Sequence, residues 1–354
     1  MAALTLSVNV PSAGAAPACT AGTESDFNGD GIRDTAVADA EATVDGKVGA
    51  GLVRVVLGGG KGVAELSQQL SDMTANPEAG DKFGSSIAVY DADQDGCADL
   101  VVGTPYEDVT TAAGPQEDAG AVYVIHGRPA GIGEGSVIDS YTQAGLDGST
   151  VTEAGDLFGV AVAAGTTSHG KPFLAVGVPG EDIGTAQDAG SVHYVQGTTK
   201  STVSQDDPGV PGVVEAHDRF GYALAATDRY LTVGAPGEAI AAESGAGAVA
   251  LFRHTLDNGR PAVVDGLDEN HSALVSGTSE KGDRFGTSLS MVAYRPAGTE
   301  SEKDALLAIG TPNEDVSDVT DAGAVTVVHV KENGTVSEVN LIDRLSPQVE
   351  RTPW

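Results

Sequence analysis

The chain of 354 residues carries 51 Asp and Glu against 19 Lys and Arg, a formal charge of -32 at neutral pH. Nucleic-acid backbones and anionic membrane surfaces both select cationic patches, so this balance argues against either partner. With 48 Gly and only 5% aromatic residues, the composition favours short strands joined by tight turns around a core of small side chains, an all-β fold, over long helices.

No apolar run approaches the ~20 residues of a membrane span, so no membrane insertion is expected. The length allows one large or two ordinary domains. Cys19 and Cys97 are too few for a disulfide scaffold or a four-thiolate zinc site, and the sequence leaves open whether they pair.

From the N-terminus, residues Met1 to Ala18 form an uncharged, mildly apolar stretch ending in small residues. It reads as the remnant of an export signal without its cationic start. Alternation of Leu4, Leu6, Val8 and Val10 with polar residues allows a strand instead. Residues 19 to 25 read as a linker, and residues 26 to 354 as a single repeat-built domain.

A repeat runs through that domain. Phe-Gly recurs at Phe83-Gly84, Phe158-Gly159, Phe220-Gly221 and Phe285-Gly286, with spacings of 75, 62 and 65 residues, and an acidic residue lies two positions before each Phe. Downstream of each pair an apolar run closes on Gly-x-Pro, at Pro105, Pro179, Pro236 and Pro312. A small-residue turn then opens another β-rich run, as in DAGAVYVIHG from Asp118. An opening unit from Asp26 lacks the Phe-Gly pair but keeps the rest, giving five units of three or four short strands, the size of a propeller blade. Glycine permits close backbone approach and proline ends a ladder, so most of this signature is architectural.

Phe-Gly followed by an Asp-rich loop and Gly-Ala-Pro (Gly234 to Pro236, with GTP and GVP elsewhere) resembles the FG-GAP repeat of integrin α-subunit β-propellers and of bacterial secreted proteins. The resemblance implies an all-β propeller of five to seven blades. It also implies a secreted location, bound calcium and a role in binding or adhesion toward an extracellular protein or glycan. A monomer is expected.

Two units carry a loop with its own chemistry. DADQDGCAD places Asp91, Asp93, Asp95 and Asp99 at positions 1, 3, 5 and 9, and DFNGDGIRD places Asp26, Asn28, Asp30 and Asp34 likewise. Alternating oxygens closed by Gly can turn inward around a hard cation, with the carbonyls of Cys97 and Ile32 at position 7 completing an oxygen set suited to Ca2+. The helical calcium hand is rejected, because its position-12 Glu is replaced by Val102 and Val37. An acid at position 9 fits the shorter calcium hairpin of the integrin-type propeller. Two calcium sites are expected, since Thr166, Asp228 and Ala293 stand at the matching positions of the other units.

After Gly-x-Pro come Glu107-Asp108, Glu181-Asp182 and Glu314-Asp315, with Glu238 followed by Ala239. Strand alternation puts these loops on the face opposite the calcium hairpins, the ligand face in the resembled family. There they could form an anionic ring or simply a solvated turn.

Catalytic groups are hard to find. No G-x-S-x-G elbow occurs, and GGGKG at Gly58 to Gly62 lacks the spacing of a phosphate loop. His126, His193 and His329 sit at matching repeat positions, which fits inheritance better than catalysis. The reading is therefore a calcium-binding adhesion module without assigned catalytic residues. The alternative is an extracellular hydrolase, glycosidase or esterase-like, working through carboxylates on a propeller face.

Overall fold

The computed structural model describes Cys19 and residues 24 to 343, apart from 147, 149, 275, 300 and 301. The stretch Met1 to Ala18, read above as an export remnant, lies outside the described residues.

The described chain is almost entirely β and folds as a propeller of five successive blades. The first blade has three strands, β1 (Thr35–Asp39), β2 (Leu52–Leu57) and β3 (Gly62–Leu66). The second begins with β4 (Ser86–Tyr90) and β5 (Asp99–Thr104), makes a side hairpin of β6 (Val109–Thr111) and β7 (Gly114–Gln116), and ends with β8 (Ala121–Ile125) and β9 (Ile138–Tyr141). A four-residue helix, α1 (Gln143–Leu146), follows. The third blade is β10 (Val162–Thr166), β11 (Pro172–Val178), β12 (Ser191–Gln196) and β13 (Thr199–Val203). The fourth is β14 (Ala223–Ala226), β15 (Tyr230–Ala235), β16 (Ala248–Asp257) and β17 (Arg260–Leu267). The fifth is β18 (Ser288–Tyr294), β19 (Asp304–Thr311), β20 (Ala324–Val330) and β21 (Val336–Asp343).

Within each blade neighbouring strands are antiparallel in chain order; Val102 of β5, for example, faces Ile87 on one side and Tyr123 on the other. The innermost strands β4, β10, β14 and β18 pack side by side. The opening unit lacks the Phe-Gly segment, and among the described residues its blade lacks the inner strand that follows Phe-Gly in the others.

Burial follows from the stacking. In the middle blades both sheet faces are covered, so β5 and β15 are buried at every position and their sequences, DLVVGT and YLTVGA, show no polar alternation. Among the described residues the terminal blades are covered on one face only. Accordingly β1 alternates exposed and half-buried residues, and β20 alternates buried with more open ones. Separate apolar cores fill the four successive junctions, and among the described residues none joins the fifth blade to the first.

The repeated Phe-Gly is the clip at each junction. Phe83, Phe158, Phe220 and Phe285 are fully buried. Their backbone N–H groups donate to the carbonyls of Ala50, Ala119, Ala189 and Ala246, in the small-residue turn of the preceding blade, at 2.8–3.0 Å. The glycine before x-Pro lets the next blade approach. A Cβ on Gly177 would stand 2.0 Å from the Gly221 carbonyl oxygen, and one on Gly103 2.1 Å from that of Gly159.

Gly177→Ala is therefore expected to force two blades apart and lower stability by about 1–3 kcal/mol. Denaturant unfolding checks this; an unchanged midpoint would remove the close approach from the account.

Candidate functional site

The Asp91–Asp99 segment is a hairpin between β4 and β5, with strands on both sides and no helix. The carboxylates of Asp91, Asp93 and Asp95 converge, one oxygen from each lying within 4.8 Å of the others. The turn is self-tied. Asp91 accepts from the backbone N–H groups of Asp95 (3.1 Å) and Gly96 (3.0 Å), Asp93 from Asp95 (3.1 Å), and Asp95 from Cys97 (2.8 Å). Burial, followed by the charges of Asp99, Asp93 and Asp95, pushes the Asp91 carboxyl above its usual value.

Position 9 does a different job. Asp99 is buried, and its two oxygens accept from the N–H groups of Ala92 (2.8 Å) and Gly127 (2.9 Å), so it braces the hairpin against the strand end after β8. His126 lies 3.2 Å from Asp99 and 3.1 Å from Asp139. The Asp99 carboxylate above all pushes its imidazole up to about 9, so a cation stands beside the hairpin at neutral pH.

The first hairpin repeats the turn. Asp26 accepts from Asp30 (3.1 Å) and Gly31 (2.7 Å), Asn28 from Asp30 (3.1 Å), and Asp30 from Ile32 (2.8 Å). Asp34 accepts from Phe27 (2.8 Å) and Gly58 (2.7 Å), matching the role of Asp99. Here, however, the Lys61 ammonium grips the Asp30 carboxylate and holds it below its usual pKa. Among the described residues Asp26, Asp30 and Asp34 form no three-carboxylate cluster like that of the second hairpin.

The two hairpins adjoin, with the Ala98 N–H donating to the Asp26 carbonyl at 2.9 Å and a Cys19–Cys97 disulfide crossing between them. The pairing left open by the sequence is thus made, and it anchors residue 19 of the expected linker. Beside the second hairpin opens a cleft of about 700 Å³ at the ends of β4, β10 and β14, bordered by Glu24, Tyr90, Asp91, Thr166, Phe173 and Asp228.

The acid pairs after Gly-x-Pro split between core and surface. Glu107, Glu181 and Glu314 are buried at the blade junctions, as is Glu238. Their Asp partners fold onto their own loops, where Asp108, Asp182 and Asp315 accept from the N–H groups of Asp118, Asp188 and Asp321 at 2.8–3.0 Å. Of the two readings offered by the sequence, ring or solvated turn, neither fits the glutamates, which turn inward, while the exposed aspartates tie their own loops.

What the sequence reading missed is the partner of each buried Glu. Gln68, Gln143 and Gln205, each two residues past the last strand of a blade, donate their side-chain amides to Glu107, Glu181 and Glu238. Completing each junction is an acid two residues before Phe: Asp81, Asp156 or Asp218, which accepts from the N–H of Glu78, Glu153 or Glu215. The signal was a constant interval of 13 residues from Gln to Asp, with no local motif to mark it.

Burial pushes these acids up, Glu107 to about 8, Asp156 and Glu238 to about 7, and Asp81 and Asp218 to about 6. A carboxyl raised in the folded state binds protons that the unfolded chain has released, so its contribution is complete below its ordinary value near 4 and fades as pH rises through the folded value. In chelator, the melting temperature is expected to be highest near pH 4–5 and to fall steadily to pH 8. A thermal scan across that range that stays flat or rises would refute the junction chemistry.

The family model of the FG-GAP repeat matches residues 83–125, the second blade from its Phe-Gly clip to the end of β8. Among solved structures the chain resembles a provisionally named 6-phosphogluconolactonase from Bacteroides uniformis, with 10% identity over 87% of this chain and 68% of that one and a TM-score of 0.40. It also resembles a like-named protein from Bacteroides fragilis, at 12% identity over 88% and 82% with a TM-score of 0.34. A third is the periplasmic gluconolactonase PpgL of Pseudomonas aeruginosa, at 13% identity over 88% and 82% with a TM-score of 0.36. Resemblance at this level assigns no substrate to the chain.

The expectation of an adhesion module that leans away from enzymatic activity is nonetheless corrected. Glu107, Glu181 and Glu314, half of its expected ligand face, are buried at the blade junctions.

Proposed function

Taking the chain as an FG-GAP repeat protein, we propose that it is an exported, calcium-binding propeller that acts as a hydrolase through the cleft beside the Asp91 hairpin. The observation that carries this reading is the convergence of Asp91, Asp93 and Asp95, with Asp91 bordering the roughly 700 Å³ cleft. An oxygen-only donor set in a tight turn suits calcium better than zinc, which wants N or S ligands. Asp91, Asp93 and Asp95 would hold the ion, with the Cys97 carbonyl beside them. Bound calcium would neutralise the mutual repulsion of these carboxylates and stiffen the hairpin. Asp26, Asn28, Asp30 and the Ile32 carbonyl would make a weaker second site, braced by Asp34 as Asp99 braces the first, because there Lys61 competes for Asp30.

Hydrolysis needs a carboxyl able to pass a proton and a wall that seats the substrate. Asp228 supplies a half-exposed carboxylate on the far side of the cleft from the hairpin's own strand, and Val89 and Ala226 add apolar wall. A net charge of -32 repels anionic substrates and favours neutral esters or glycosides. The Cys19–Cys97 disulfide supports an oxidising, extracytoplasmic location.

Asp95→Ala is expected to abolish most of the calcium-induced rise in melting temperature, whereas Lys61→Ala strengthens calcium binding at the first hairpin. Calorimetric titration reads both, and an unchanged response to Asp95→Ala would reject the site. Turnover of neutral chromogenic esters or glycosides is expected to fall at least 100-fold in Asp228→Asn, with calcium-dependent melting retained. Absence of turnover across both substrate classes would overturn the hydrolase reading.

A further inference from the structure

The junction between the fourth and fifth blades breaks the rule followed by the other three. At the position two past the last strand, where Gln68, Gln143 and Gln205 donate an amide to the buried Glu, the chain has Glu269. Its interval to the acid before Phe-Gly is 14 residues instead of 13. The exchange puts another acceptor where the other junctions place an amide donor.

Three carboxylates now meet with one oxygen each inside a 4.8 Å span: Glu269, Asp283 and Glu314, all buried. Glu269 is 2% exposed and aimed into the cluster, yet among the described residues its carboxylate oxygens meet only the other two carboxyls and no N–H or hydroxyl donor, and one oxygen of Glu314 is likewise without a donor. Asp283 uses one oxygen to accept from the Glu280 N–H, which leaves the other for the cluster. The charged groups acting on the three from the neighbouring loops, Glu280 and Asp315, are acidic too.

The amide oxygens of the three glutamines are also unpaired, but an uncharged amide oxygen is far less costly to bury than a carboxylate. Several converging carboxylates without a donor are far less tolerable unless a positive charge joins them.

We propose that Glu269, Asp283 and Glu314 form a calcium site at the junction of the fourth and fifth blades, independent of the two hairpins. The ligands are hard oxygens drawn from three separate segments: the loop after β17, the approach to Phe285 and the turn after Pro312. A cation there takes over the role that the glutamine amide plays at the other junctions, drawing the acid of one blade toward the connector of the one before.

The test uses the full chain carrying Asp30→Ala and Asp95→Ala, so that both hairpins are disabled, with calcium chloride as the probe in flow dialysis. One equivalent of calcium is expected to remain bound and to be lost on adding Glu269→Gln, the residue that the other junctions use. In the otherwise unaltered protein, Glu269→Gln alone is expected to lower the stoichiometry by one and to raise the melting temperature in chelator, because it restores the amide-to-carboxylate bond. This second comparison serves if the combined variant does not fold. Calcium binding that survives Glu269→Gln overturns the proposal, as does a hairpin-disabled protein that binds none. A gain in chelator with no calcium lost also overturns it, and identifies a shared proton as the positive charge.

Discussion

At three of the four junctions one blade meets the next through a buried contact between a carboxyl and an amide, set beside the Phe-Gly clip. The clip alone would leave the acid after Gly-x-Pro facing its neighbour's acid across a dry seam. Glutamine from the preceding connector resolves this at three junctions, bonding Glu107, Glu181 and Glu238. Because these acids sit where water does not reach, their protonation and the fit of the blades are one property. The small side chains of the core fit the same constraint, since Gly103, Gly177 and Gly234 let backbones approach closely enough to exclude water.

The two ends of the inner strands differ in kind. At one end the connections are hairpins whose aspartates tie their own backbone and converge toward a common point, next to an open cleft. At the other the connections turn their acids inward and lock the blades. Acidic composition thus serves two purposes, a cation-seeking edge and an internal adhesive. The surface charge that remains keeps anionic partners away.

Much of the architecture was legible in the residues. Phe83, Phe158, Phe220 and Phe285 mark the junctions because an aromatic ring followed by a glycine has few other uses at such regular spacing. The Asp91 and Asp26 hairpins could be read because their side chains alternate along a turn with a terminal Gly. Lys61 on Asp30 could not, since 31 residues separate them and no periodicity relates a loop end to a later turn. Glu107 and Glu181 were misread as surface acids for a related reason: loop position gives the sequence of a turn but not the direction of its side chains. Only the glutamine at a fixed distance before each Phe-Gly would have indicated that these acids point inward, and Glu269 stands out only once that rule is known.

The most direct test of the junction account is an NMR titration of the Glu107 side-chain carboxyl, labelled with carbon-13, in the intact protein. The account predicts a midpoint near 8, displaced upward by burial and only partly restrained by Gln68. A midpoint at the ordinary glutamate value near 4.5 would mean that the seam is wet and that the blades are held by something else.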